Sequence, residues 1–322
     1  MEDKIFKYGK DIVWSLPVIF EYEHVWGAIV KTLREFGIEA PRVNGFGCPR
    51  MNWYGGRFPH VIDEIGPTAL YKRFEYCKEI GITPSFTFTK SKITKDDLKD
   101  RYANYLVDIA LEFDAHFIVY SDILKDYIKE KNPNAYMVAS IIKSIEKFQG
   151  PNAKNWSVEN ETNYYNKLLK EYDMVVVRPE YSESVLIKNP SLIDDISRIE
   201  VLINQTCVRN CPKAMEHYHF IEDQNYNKSF ECMYSKLKES NSIYDICVSH
   251  DKETVEKLVE YGVKHLKVQG RGNNNTALGM SLMLFTRIFE ITGNKILILE
   301  ELMRDVASKE YVYFTKFISN KL

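Results

Sequence analysis

Met174-Val175-Val176-Val177-Arg178 and Ile199-Glu200-Val201-Leu202-Ile203 are two short apolar runs, and between them the stretch 182–196 has helical periodicity. Each run is too short for a helix and rich in β-branched residues, so each reads as a buried strand. A strand, a helix and a second strand in this order imply a parallel pair.

The pattern extends in both directions. Helix 22–36 places Val25, Ile29, Leu33 and Phe36 on one face and stops at Gly37. A β-run begins at 41, helix 65–80 ends at Gly81, and a second β-run begins at 82. Helix 94–113 leads to a run at 116, a short helix 122–131 to one at 136, and helix 158–171 to the run at 173. After 199 comes a longer, less regular stretch, 209–241, then a run at 244, helix 251–261 closed by Gly262, and a run at 265. Helical patterns at about 276–291 and from 294 finish the chain. Eight β-runs, mostly joined by helices, fit a (β/α)8 TIM-like barrel, which typically takes about 250 residues. The expected layout is a single domain, 1–322: an N-terminal extra segment or cap at 1–37, the barrel at about 38–292, and a C-terminal helix at 293–322. The competing architecture is a doubly wound open sheet.

Composition narrows the class. Apolar residues make up 45% of 322, enough for a real core. A net charge of -2 indicates no general affinity for nucleic acid or anionic membrane, although a local basic patch stays possible. No run approaches the ~20 apolar residues of a membrane span, and the chain starts without a basic-then-apolar leader. The expected location is the cytoplasm. Six cysteines are too few for a disulfide scaffold, and in a reducing compartment they read as metal ligands, reactive thiols or core residues.

In a parallel barrel the chemistry lies at the C-terminal strand ends. Those ends are 44–50, 87–90, 120–122, 140, 178–180, 204–211, 249–251 and 269–275. Cys207 and Cys211 stand four apart just past a strand, and Cys232 follows. Soft thiolates select iron–sulfur clusters or zinc. A four-iron cluster needs a fourth ligand: Cys48 is the first choice and Cys247 the runner-up, while Cys77 reads as core or surface. Unrelated single cysteines are the competing reading. His217 and His219 with Cys207 and Cys211 would make a Cys2His2 zinc site, but two histidines two apart point to different faces of a helix. In Gln269-Gly270-Arg271-Gly272-Asn273-Asn274-Asn275 two glycines let the backbone approach a ligand. Gly270, Gly272 and Asn273 are therefore cofactor-binding candidates, and the Arg271 fork suits phosphate or carboxylate. Arg178, Glu180, Asn204, Lys267 and Arg271 are the residues expected to line the cavity. Gly55-Gly56, with Arg50 and Arg57 nearby, reads as a mobile lid carrying Trp53 and Tyr54. No paired Ser/His signature and no H-E-x-x-H motif stands out.

Two stretches carry a resemblance. Glu200-Val201-Leu202-Ile203-Asn204-Gln205-Thr206-Cys207, with Cys211 and His217-Tyr218, resembles the sixth-strand region of the collagenase-like peptidases, unassigned peptidase family thirty-two (U32). Gly262-Val263-Lys264-His265-Leu266-Lys267-Val268-Gln269-Gly270-Arg271 resembles that family's G-V-x-x-x-K-I-E-G-R stretch, with Gln269 in place of its glutamate. The resemblance implies a divergent relative with a barrel catalytic region. It also implies a [4Fe–4S] cluster on Cys207, Cys211 and Cys232, and oxygen-independent hydroxylation of an unknown small-molecule or modified-polymer substrate. The alternatives are a zinc-dependent hydrolase or peptidase, and a non-catalytic binding or assembly protein within a hetero-oligomer.

Overall fold

In the computed structural model, residues 12–17, 20, 27, 42–55, 66–223, 230–233 and 247–269 are described. The strands are β1 (Val13–Pro17), β2 (Arg42–Gly47), β3 (Ile82–Phe88), β4 (His116–Val119), β5 (Met137–Ala139), β6 (Met174–Val177), β7 (Ile199–Leu202), β8 (Asn204–Val208), β9 (Cys247–Ser249) and β10 (His265–Lys267). Eight of them close a barrel in the order β1-β10-β7-β6-β5-β4-β3-β2. Neighbours run parallel, with Phe117 opposite Met137, Val138 opposite Met174, Val176 opposite Glu200 and His265 opposite Glu200. The barrel is thus of the (β/α)8 type.

Strand membership differs from the sequence expectation in two places. Val13-Trp14-Ser15-Leu16-Pro17, inside the segment assigned as a cap, is barrel strand β1 and pairs with β2 from Val13 opposite Arg42. The run near 244 supplies β9, which stays out of the barrel and forms an antiparallel ribbon with β8. Composition alone does not separate these cases, because a short β-branched run suits either setting. Of the helices expected at 22–36, 276–291 and 293–322, residue 27 is described and helical, and the remaining positions lie outside the described residues.

The helices are α1 (Pro67–Ile80), α2 (Arg101–Glu112), α3 (Asp122–Lys131), α4 (Ile142–Phe148), α5 (Val158–Glu171), α6 (Ala214–Glu222) and α7 (Lys252–Glu260). Local chemistry sets their ends. Ser157 accepts from the Asn160 N–H at 3.0 Å to start α5, and Asp251 accepts from the Thr254 N–H at 2.9 Å to start α7. Gly81, at φ 77°, closes α1 in the left-handed region that glycine enters without penalty. The helix expected over 182–196 is broken. A turn at Pro179–Tyr181 runs into a π-turn at Ser182–Leu186, and 3-10 turns follow at Pro190–Leu192 and Ile196–Arg198. Pro190 has no N–H to donate and its ring excludes the preceding helical turn. 

By packing, the chain divides into two compact units: Met1–Arg50, Pro59–Ser85 and Gly270–Leu322 in one, Met51–Phe58 and Phe86–Gln269 in the other. In the first, Phe20 stands 6.0 Å from Phe74 and accepts a bond from Arg73 on its carbonyl at 2.8 Å. The second unit carries the residues argued below. Among the described residues no helix is long and apolar enough to cross a membrane.

Candidate functional site

Strand alternation decides which side chains face the lumen. Glu200 on β7 acts electrostatically on His116 of β4, although β5 and β6 separate those strands along the wall. The path between them crosses the barrel, so Glu200 and His116 point inward, and the residues two along on each strand do the same. Phe117 therefore points outward. Phe88 lies 6.0 Å from Phe117 and 5.2 Å from Phe86, so those two rings also face out, and Thr87 and Thr89 face in.

The resulting lumen carries a cluster of polar side chains among apolar ones such as Ile118, Val138 and Val176. A barrel of this type normally fills its interior with branched aliphatic layers. Here Glu200, 0% exposed, accepts from Lys267 Nζ at 2.8 Å, and Lys267 is 8% exposed. His116 stacks on Tyr136 at 4.0 Å. Burial pulls the His116 pKa down to about 4, with the Glu200 charge opposing, and pushes Tyr136 up to about 12. His265, opposite Glu200 on β10, is lowered by burial as well. The Nδ1 atoms of His116 and His265 are buried with no hydrogen-bond partner.

At the C-terminal end of β6 sits a second buried network. Arg178, 2% exposed, grips Glu161 of α5 with Nε and Nη2, both at 2.7 Å. Tyr165 and the Trp156 indole also donate to Glu161, at 2.8 and 2.7 Å. Four donors on one carboxylate compensate the cost of burying its charge. Arg178 Nη1 donates to Asn210 Oδ1 at 3.1 Å, and the Asn210 N–H donates to Glu180 Oε1 at 2.8 Å. Asn210 reaches this position at φ 46°, in the left-handed region that asparagine tolerates. Glu180 Oε2 is buried with no hydrogen-bond partner and lies 4.0 Å from Arg178 Nη1.

The ends of β3 and β4 hold the third group. Ser91 donates to Glu222 of α6 through its N–H at 2.9 Å and its hydroxyl at 2.7 Å. Glu222 is 6% exposed, and burial raises its pKa above the ordinary 4.5, against the pull of the Ser91 bonds, His219 and Lys92. Tyr120 donates a short bond to Glu146. Burial raises Tyr120 first, the bond to Glu146 and its charge add to the effect, and the charge of Glu222 contributes last.

The expected cavity residues fall into place unevenly. Arg178 and Lys267 are ion-paired and buried. Asn204 clasps the backbone of Gln269, donating to its carbonyl at 2.9 Å and accepting from its N–H at 2.8 Å, which is a structural role. Gly270, Arg271, Gly272 and Asn273 lie outside the described residues. Trp53 is no lid. It is fully buried, donates to the Asp97 carbonyl at 2.9 Å, and meets Phe88 and Tyr127 edge-on. Gly55 beside it is required by close approach, since a Cβ there would lie 2.3 Å from the Thr89 carbonyl oxygen.

The cysteines divide. Cys211, 8% exposed, packs with Ile145 and Ala214 and touches the apolar cluster of Val208, Tyr218 and Met233. Burial raises its thiol pKa, and the neighbouring Cys232 raises it further. Cys207 is half-buried on β8, Cys247 starts β9, and Cys48 is buried beyond β2 in the other unit. Among the described residues no group of three or more His, Cys, Asp or Glu side chains could hold a metal. His217 stacks flat on Phe230 at 4.6 Å.

The structure does pair a serine with a histidine, which the sequence did not signal. His250 Nε2 lies 2.8 Å from Ser182 Oγ. Both are sealed, at 2% and 0% exposure, and Ser182 Oγ donates to the Pro179 carbonyl at 2.8 Å. A hydroxyl has one proton, so the imidazole donates to the serine. That is the reverse of a nucleophile–base pair, and it ties the 179–186 turn to the end of β9.

No family model matches the chain, and no curated protein does. Among solved structures it is similar to one named as the U32 peptidase Mk0906, at 10% identity and a TM-score of 0.46, covering 81% of this chain and 93% of that one. It is also similar to the C-terminal domain of a protein from Desulfitobacterium hafniense DCB-2 named as a putative chitinase, at 11% identity and a TM-score of 0.38, covering 86% and 99%. The first of these bears the family name that the 200–217 and 262–271 stretches resemble.

Proposed function

We propose that the chain is a barrel enzyme performing acid–base chemistry on a polar substrate held at the C-terminal mouth, with Glu222 as the proton donor. The observation that carries this is Glu222 itself. It is a carboxyl burial holds toward its protonated form, gripped by Ser91 at the end of one barrel strand and sharing the field of Tyr120 at the end of the next. A carboxyl whose pKa is raised above its ordinary value is suited to protonate a leaving group. Thr87 and Thr89, with unbonded hydroxyls on the inner face of β3, supply hydrogen bonds for orientation. The test is a survey of polar metabolites incubated with wild type and with Glu222→Gln, read by mass spectrometry. Wild type consumes at least one compound and the variant loses at least a hundredfold in rate, the usual scale for general acid catalysis. Wild type that consumes none, or a variant that matches it, defeats the reading.

A second reading keeps a metal centre on Cys207, Cys211 and Cys232 with redox chemistry of hydroxylation type. The packing of Met233, the residue after Cys232, against the Cys211 cluster favours it by keeping two of these thiols near each other. Anaerobic iron and sulfide analysis decides it: about four irons per chain uphold a four-iron cluster, and iron-free protein removes it.

A further inference from the structure

We infer that the substrate is a small hydroxylated amine and that Glu180 receives its ammonium group; this rests on the mouth of the barrel being the site proposed above. Buried polar atoms in native proteins almost always have partners, in protein, water or ligand. Among the described residues, four of the eight buried side-chain polar atoms without a hydrogen-bond partner lie toward the C-terminal strand ends: Thr87 Oγ1 at the end of β3, Thr89 Oγ1 just past it, Glu180 Oε2 after β6, and Gln205 Oε1 on β8. Their side chains are sheltered, with Thr87 at 1%, Thr89 at 3% and Glu180 at 8% exposure. This is a set of two hydroxyls and two pure acceptors. It suits a ligand that mostly donates hydrogen bonds.

Charge narrows the class further. Among the described residues Lys90, Arg178, Arg209 and Lys267 are engaged cations at these strand ends, with Arg209 forked onto Glu183. Lys90 bonds Asn52 at 2.7 Å and lies 3.7 Å from Asp97, Arg178 forks onto Glu161, and Lys267 bonds Glu200. Arg178 is shared, because Glu180 stands 4.0 Å from a guanidinium whose short bonds go to Glu161. Among the described residues Glu180 Oε2 therefore has no donor of its own, since the guanidinium beside it is held by Glu161. An anionic substrate would meet acceptors and a carboxylate. A protonated amine would give Glu180 Oε2 a charge-assisted donor, a bond roughly twice as strong as a neutral one.

An isosteric series tests this directly. Serinol (2-aminopropane-1,3-diol) and glycerate each differ from glycerol in one group, and the three are cationic, anionic and neutral respectively at neutral pH. Binding to the full chain is read by NMR titration. Serinol should bind about tenfold more tightly than glycerol, the order of a charge-assisted over a neutral bond, and glycerate should be undetectable. Glu180→Gln should bring serinol to the level of glycerol, and Thr87→Val should weaken both. Glycerate binding as well as serinol, or a serinol preference that survives Glu180→Gln, overturns the amine class and leaves the mouth as the site. Silence from all three in a protein that consumes another metabolite does the same. Silence together with no turnover in the metabolite survey sinks both readings.

Discussion

Thr87→Val should make the ligand-free protein more stable. The substitution exchanges a hydroxyl for a methyl of nearly the same volume, and both residues are β-branched, so strand preference barely changes. Thr87 Oγ1 is 1% exposed at the residue level and has no hydrogen-bond partner. A buried unpaired hydroxyl costs about 1–3 kcal/mol relative to water. Removing it should stabilise the fold by about 1–2 kcal/mol. Thr89→Val should act in the same direction, and the pair together by less than the sum, since the two side chains share one face two residues apart. The assay is urea unfolding, where the midpoint should rise with an unchanged slope. A loss of 1 kcal/mol or more in either variant would refute the reasoning, because it would mean the hydroxyl is bonded in the folded protein and the lumen is not waiting for a ligand.

Breaking the buried ion pair with Glu161→Gln should cost about 3–5 kcal/mol in urea unfolding, because Arg178 then keeps its charge without its bidentate partner. Gly55→Ala should destabilise by about 1–3 kcal/mol, since the new methyl meets a backbone carbonyl that cannot swing aside. Acid should weaken the fold through its buried neutral histidines. His116 and His250 sit at about 4, chiefly from burial, against an ordinary 6.5. The unfolded chain binds their protons first, so their contribution is full above pH 6.5 and is lost as pH falls towards 4, by on the order of 3 kcal/mol each at the acid limit. His250→Gln should flatten stability measured between those two pH values.

The barrel was legible because its code is local. Ser157, Asp251, Gly81 and Gly262 mark helix ends, and runs such as Met174–Val177 are buried on both faces and read as strands wherever they occur. The break at Pro190 was equally local, yet the apolar periodicity on either side of it masked the interruption. What could not be read was which β-runs share a sheet. Val13–Pro17 joins the barrel while Cys247–Ser249 pairs with β8, and neither run differs in kind from the other.

The site followed the same rule. Listing strand C-terminal ends found Thr87, Thr89, Tyr120, Arg178 and Glu180, because strand ends are sequence-visible. Their partners were invisible: Glu161 and Glu222 lie on helices, Glu146 at the end of α4's charged face, and His116 and His265 at strand starts. Long-range pairs such as Ser91 with Glu222 or Arg178 with Glu161 leave no spacing signal. The cysteines drew attention by spacing, yet Cys211 is spent largely on packing against Ile145 and Ala214.

The proton donor is the centre of the account, and carboxyl-13C NMR of the full chain labelled at glutamate measures it most directly. Glu222 should titrate above 4.5, and Ser91→Ala should move it higher still by removing the hydroxyl bond that favours the carboxylate, while the N–H bond at position 91 stays. A Glu222 signal that titrates at or below the ordinary glutamate value, or that falls when Ser91 is removed, would contradict the proposed chemistry.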